Sequence, residues 1–272
     1  MIYLSREVRF HLVPPATADP DARNSWAGVP SSERLLPFLV LRCMIAGELD
    51  HRTGYLCNVK AIDAILRDHA IKQLVAHAEA QRTLGNGQGL LGTAGCRLAW
   101  DAVVDRLPPS TSLAQLELEV SPYLRYTRFA NSPMIYVTQQ FEFSASHRLH
   151  CKHLSDEENW ELFGKCNRVN GHGHNYRVDV TVVGEAEQEA GMVMSLAELE
   201  RIVQDVVIDR FDHRHLNLDT EEFADLNPTV ENIARVVWEL LTPHMPNGKL
   251  ASVRVFETPK TWAEYRGAES KA

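Results

Sequence analysis

One interval, 137 or 138 residues, recurs along this 272-residue chain and limits its fold more than any composition figure. Gly47-Glu48 precedes Gly184-Glu185 by 137 positions, Trp100 precedes Trp238 by 138, and Ser121-Pro122 precedes Thr258-Pro259 by 137. A common offset kept across most of a half is the mark of a tandem duplication, because unrelated segments do not hold one spacing. The turn-prone stretch Asn131-Ser132-Pro133 separates the copies, giving units of residues 1–130 and 131–272.

Each copy reads strand, strand, helix, helix, strand, strand. In the second, Ile135, Val137, Phe141, Phe143 and Ala145 alternate with Tyr136, Thr138, Gln140, Glu142 and Ser144, the period-two pattern of a half-buried strand. Tyr176, Val178, Val180 and Val182 repeat it against Arg177, Asp179 and Thr181. Ser195 with Glu198 forms a capping-box signature ahead of Leu199, Ile202, Val203 and Val207 at helical spacing. A second helix follows Asn227-Pro228, with Val230, Ile233, Val237 and Leu241 on one face, and strands near 250–257 and 261–266 close the unit. The fold class expected is α+β, in two tandem units, each an antiparallel four-stranded sheet with two helices on one face.

His147 falls at the end of the first apolar row of the second copy, and His172 and His174 extend the next apolar row backwards. If those strands pair antiparallel, three imidazoles meet at one sheet end. Three nitrogen donors with a fourth position open suit a catalytic divalent cation such as Zn²⁺. In the first copy Leu35 and Pro37 stand where His172 and His174 do, Val29 stands for Cys166 and the His147 equivalent is near Pro14, so that copy keeps a scaffold without a metal site. The connection from 148 to 171 is long for a hairpin, where about 2 to 5 residues is usual.

Cys166 on that connection is either a fourth metal ligand or a catalytic thiolate. Asp212-His213 is either a histidine favoured at a helix C-terminus or a carboxylate orienting a proton-relaying imidazole. Glu257, at a strand end, is either a solvated terminus or an acceptor of two parallel hydrogen bonds from a planar amidine-like edge. Thr229 and Glu231 open the second helix as caps, and Lys152, Lys165 and Arg168 put basic charge on the long connection.

Net charge of −8 argues against general nucleic-acid binding, which depends on clustered cations. No apolar run approaches the roughly 20 residues that span a bilayer, and MIYLSREVRF lacks a signal-peptide pattern, so a cytoplasmic protein without a membrane partner is expected. Five cysteines without a CxxC pair indicate reduced thiols, with Cys43, Cys57 and Cys96 as small buried hydrophobes.

FSASHRLH (143–150), ELFGKCNRVNGHGHNY (161–176), GMVMSLAELE (191–200), DHRHLNLD (212–219), NPTVENIA (227–234) and VFETP (255–259), taken together, resemble the 6-pyruvoyl-tetrahydropterin synthase family across residues 134–267. The resemblance implies tunnelling-fold (T-fold) units assembled into barrels with active sites between subunits, and a small-molecule substrate, 7,8-dihydroneopterin triphosphate. It implies Zn²⁺ held by His147, His172 and His174, Cys166 as the proton-abstracting base, Asp212 and His213 completing a relay, and Glu257 anchoring the pterin, with Thr229 and Glu231 beside it. The related 6-carboxy-tetrahydropterin synthases of queuosine biosynthesis commonly have three residues between the cysteine and HGH. Here five intervene, Asn167 to Gly171, as in pyruvoyl synthases. Where many members carry a second hydroxyl after the helix-opening threonine, this chain has Val230. A homo-oligomer is expected, with a homotrimer of this duplicated chain standing for a dimer of trimers. A non-catalytic zinc-stabilised assembly protein is the reading from a different class.

Overall fold

The structure is a computed structural model and describes residues 1–12, 37–83, 92–185, 193–245 and 249–267. Pro14, Val29 and Leu35, three of the four first-copy positions matched to the histidines and cysteine, lie outside the described residues. The chain is α+β and divides into two compact units, Met1–Val137 with Val183–Val193, and Thr138–Val182 with Met194–Ala272.

In the first unit β1 (Ile2–His11), β2 (Phe38–Gly47), β3 (Thr111–Ser121) and β4 (Leu124–Phe129) pair antiparallel in chain order. Between β2 and β3 run α1 (Val59–Ile65), a π-helical turn (Leu66–Ile71), α2 (Lys72–Thr83) and α3 (Gly92–Val103). Alternate strand residues such as Val8, Phe10, Leu41 and Leu116 are buried, as are Ile62, Leu66 and Ala99 of the helical segment. Each of these Val, Leu, Ile and Phe side chains contributes about 1.5–3 kcal/mol. Cys43 and Cys96 are in this core, where burial pushes both thiols up to about 12. On another face Arg42 joins three carboxylates, Glu7 at 2.7 Å and Glu117 and Glu119 at 2.6 Å, tying β1, β2 and β3 together.

The second unit holds β5 (Ile135–His147) from Thr138 on, α4 (Asp156–Phe163), β6 (His172–Gly184) up to Val182, α5 (Leu196–Val203), a π-helical turn (Gln204–Ile208), α6 (Asp209–Phe211), β7 (Arg214–His215), α7 (Leu216–Asp219), α8 (Val230–Leu241), β8 (Leu250–Thr258) and β9 (Thr261–Tyr265). Its strands run in the order β5-β6-β8-β9. Two features were not expected. The two-residue β7 pairs parallel with β5, Ala145 against Arg214 and Ser146 against His215, so this unit is not a plain four-stranded antiparallel sheet; nine strands are described in all. The connection after His147 folds into α4, opened by a complete capping box between Ser155 and Glu158. α5 starts at Leu196 and α1 at Val59, α8 at Val230 and α3 at Gly92, β9 at Thr261 and β4 at Leu124, so starts of like elements keep the interval of 137 or 138. Among the described residues no helix is long and apolar enough to cross a membrane.

Candidate metal centre

Cross-strand contacts fix how β5 and β6 lie. Thr138 meets Thr181 at 2.9 Å, Gln140 donates to Asp179 at 2.7 Å, and Ser144 donates to Asn175 at 2.8 Å. Each step forward on β5 is a step back on β6, so the pair is antiparallel and the same register sets His147 across from His172. Gly171 lets the strand begin there. Its φ is +68°, and a Cβ would stand 2.6 Å from the His147 carbonyl oxygen. On the other side of β6, the pairing of Arg177 with Phe256 sets Glu257 beside Tyr176.

The result is four donors on three strands. His147, His172, His174 and Glu257 offer ligand atoms that all lie within 4.8 Å of one another. His147 Nε2 is 3.2 Å from His172 Nε2 and 3.3 Å from Glu257 Oε1, and His174 Nε2 is 3.4 Å from the same oxygen. The His147 ring is fully buried, and its Nδ1 lies 2.8 Å from the carbonyl oxygen of Pro228. A carbonyl only accepts, so Nδ1 carries the proton and donates; Nε2 of the neutral ring is then a bare lone pair. That lone pair faces another imidazole and a carboxylate. His174 Nε2 is buried without a hydrogen-bond partner, and burial lowers the pKa of His174 by more than the facing Glu257 carboxylate raises it, with the His147 imidazole adding to the lowering, which favours the neutral ligand form. Convergent lone pairs repel one another unless a cation lies between them, so this donor set fits a divalent metal ion of the nitrogen-preferring kind.

Cys166 lies in a 3₁₀ turn, Gly164–Asn167, that is hydrogen-bonded to the end of β5. Leu149 N–H donates to the Cys166 carbonyl at 2.9 Å, and Arg148 donates through Nε to the Asn167 carbonyl at 2.9 Å and through a terminal nitrogen to Asn167 Oδ1 at 3.0 Å. The backbone of the turn that carries the half-buried thiol is therefore tied to the two residues that follow His147, although Cys166 is not one of the four donors. The fully buried Tyr176 packs against the rings of His147 and His174, and its hydroxyl has no partner. Burial first, then the charge of Glu257 and Cys166, pushes that phenol far up.

Asp212 caps α6 and accepts the Ser144 N–H at 2.8 Å through Oδ1, while Oδ2 lies 2.6 Å from His213 Nδ1. Those bonds, the Ser144 one first, hold the Asp212 carboxyl below the usual carboxylate range. The carboxylate thus orients the imidazole, which stands in an uncommon left-handed conformation (φ 56°) with an 82% exposed side chain. His213 and His174 line one open cavity of about 770 Å³, together with Ser144, Ser146, Asn175 and Arg214. Among the described residues no hydrogen bond joins the Asp212-His213 pair to Cys166.

Thr229 is the N-cap of α8, accepting the Asn232 N–H at 3.3 Å, and Glu231 is exposed in the first turn. Neither lines the cavity. Val230 is buried as the first residue of α8, which accounts for an apolar side chain there. Of the basic residues on the connection, Lys152 pairs with Asp225 at 2.6 Å. Sequence reasoning missed Pro228, Arg148, Asn167 and Tyr176. Only Tyr176 carried a signal, as the next inward position after His174.

A family model described as 6-pyruvoyl tetrahydropterin synthase matches residues 136–268. The human 6-pyruvoyl tetrahydrobiopterin synthase is 48% identical over 131 residues, which are 48% of this chain and 90% of that protein. The chain belongs to the 6-pyruvoyl tetrahydropterin synthase family. It is an enzyme of the lyase class that this family comprises. A putative 6-carboxy-5,6,7,8-tetrahydropterin synthase of Archaeoglobus fulgidus is 41% identical over 102 residues, 38% of this chain and 79% of that protein. The solved 6-pyruvoyl tetrahydropterin synthase of Caenorhabditis elegans aligns with 44% identity over 50% of this chain and 97% of that one, at a TM-score of 0.49.

Proposed function

We propose that the chain is a zinc-dependent 6-pyruvoyl-tetrahydropterin synthase converting 7,8-dihydroneopterin triphosphate to 6-pyruvoyl-tetrahydropterin with release of triphosphate. The observation that carries this reading is the convergence of His147, His172 and His174 with Glu257, beside a thiol whose turn is bonded to the same strand end. The residues divide the work by their chemistry. The three histidines hold zinc, and Glu257 accepts the amidine-like edge of the pterin through two parallel hydrogen bonds. Zinc bound there supplies Lewis acidity that polarises a side-chain oxygen and acidifies the neighbouring C–H. Cys166 takes the proton as base, and His213, oriented by Asp212, relays protons to the rearranging side chain. The redox change is internal: side-chain carbinol carbon is oxidised as the ring imine is reduced, so no redox cofactor is required. Thr229 and Glu231, at the start of α8 and outside the cavity lining, would contact the substrate in this reading.

Residues 131–272 are the catalytic T-fold unit in this reading, and residues 1–130 a structural T-fold copy without a metal site. Three chains then supply six units, a homotrimer equivalent to a dimer of trimers, with active sites between subunits. The protein acts in the cytoplasm without nucleic-acid or membrane partners. A second reading, 6-carboxy-tetrahydropterin synthase in the queuosine pathway, has the similarity to the archaeal protein in its favour; the five residues between Cys166 and His172 favour the pyruvoyl product. Zinc-loaded full-length protein incubated with dihydroneopterin triphosphate tests all of this. Triphosphate release with a pyruvoyl-pterin mass is expected, a carboxy-pterin with acetaldehyde indicates the second reading, and no release indicates a zinc-stabilised binding protein.

A further inference from the structure

Two observations about Glu257 pull in different directions. The pterin-synthase reading gives its carboxylate the pterin edge, yet Oε1 stands at 3.3 and 3.4 Å from two imidazole nitrogens. For metal–ligand distances of about 2.0–2.1 Å, the edge of a tetrahedron is about 3.3–3.4 Å. The separations from His147 Nε2 to His172 Nε2, from His147 Nε2 to Glu257 Oε1 and from His174 Nε2 to Glu257 Oε1 are 3.2, 3.3 and 3.4 Å. Three of the six donor separations thus match tetrahedral edges, and the other three are within 4.8 Å, so Oε1 is placed within reach of a metal held by the histidines. A planar bidentate edge takes a lone pair on each oxygen and draws electron density from Oε1, so the two roles compete.

We propose that Glu257 is an exchangeable ligand that closes the metal's coordination in the resting site and is drawn off when the pterin ring takes the carboxylate, opening a position only when substrate is present. The inference rests on the pterin-synthase reading and adds a regulation to it. The backbone is suited to the exchange: the pairing of β8 with β9 shifts register between Phe256 and Thr258, placing Glu257 in the irregularity. Bulges of this kind bend a strand and re-aim a side chain. Its side chain is 19% exposed, with room to turn that the fully buried His147 lacks.

Ligands that compete for one carboxylate weaken each other by the same factor. The test uses 6-methylpterin, which presents the ring without a side chain that reaches the metal. Zinc affinity of the full-length protein is measured by chelator competition with and without saturating 6-methylpterin, and the cobalt-substituted protein is followed by visible absorption. The pterin is expected to weaken zinc binding about 5-fold or more and to change the cobalt spectrum. Glu257→Gln and Glu257→Ala should weaken zinc about tenfold, abolish the coupling, and give cobalt spectra insensitive to the pterin. Melting of the metal-free variants at the wild-type temperature controls for folding. Wild-type zinc affinity in both variants overturns the fourth-ligand role. Pterin bound with no change in zinc affinity or cobalt spectrum overturns the exchange. Failure of 6-methylpterin to bind also overturns it and counts against the pterin reading, while the effect of the variants on zinc still decides the ligand role alone.

Discussion

Replacing Gly171 by alanine separates two costs that this structure places on one residue. Gly171 has φ +68°, and an added Cβ would meet the His147 carbonyl oxygen at 2.6 Å and His215 Nε2 at 2.9 Å. The left-handed backbone costs a non-glycine residue about 1–2 kcal/mol. Relieving contacts several tenths of an ångström too short, against backbone rather than a flexible side-chain end, adds about 1–3 kcal/mol. Gly164 supplies an open-space comparison: its φ is also positive (+50°, with ψ −123°, a region that glycine alone adopts readily), but nothing lies within 4 Å of its Cβ position. Urea unfolding of the metal-free protein should therefore show Gly164→Ala losing about 1–3 kcal/mol, a backbone cost alone, and Gly171→Ala about 2–5 kcal/mol. The displaced atom belongs to a metal donor, so the extra stability conferred by saturating zinc should shrink in Gly171→Ala and persist in Gly164→Ala. A loss below about 2 kcal/mol in Gly171→Ala, or an undiminished zinc increment in that variant, would refute the argument that close approach to His147 is what requires glycine.

Cys166→Ala should keep wild-type zinc content by metal analysis, since the thiol is not among the four donors, while triphosphate release falls at least 100-fold, in the usual range for losing a general base. Arg148→Met removes both bonds to Asn167 and should lower kcat about tenfold with KM within twofold and zinc retained; faster hydrogen exchange at the Leu149 amide would confirm that the turn has loosened. In the first unit, burial raises the Asp63 carboxyl, but hydrogen bonds from Arg6 and Arg67 outweigh it and the net pKa lies below the usual value of 3.8. A depressed folded-state pKa gives stability that is complete above the unfolded pKa and is lost as pH falls through the folded one. Asp63→Asn should thus cost about 1–2 kcal/mol in denaturant melts at pH 7 and progressively less below pH 4.

Strand parity was enough to bring the three histidines together, because a period of two fixes which face a residue occupies and the antiparallel register fixes its partner. Helix ends were legible for the same local reason: Ser195 and Thr229 cap α5 and α8 as their positions imply. What escaped depended on the third dimension. Glu257 reaches the histidines through the register of β8 on β6, and β7 is too short to show any periodicity. The π-helical turns at 66–71 and 204–208 insert a residue into an otherwise regular pattern, so apolar spacing alone does not reveal them. α4 was legible and overlooked: Ser155 and Glu158 satisfy the capping-box pattern, with Asp156 and Glu157 completing an acidic first turn.

The bond from His147 to the Pro228 carbonyl gives α8 a hold on the metal. That carbonyl belongs to the turn leading into the helix, whose inner face, including Val230, Ile233 and Val237, is packed in the core. A displacement of the helix start would therefore rotate the buried imidazole about its ring, in the manner of a tiller turning a rudder. Substitutions far from any donor, along the packed side of α8, become a means of tuning metal affinity without altering a single ligand.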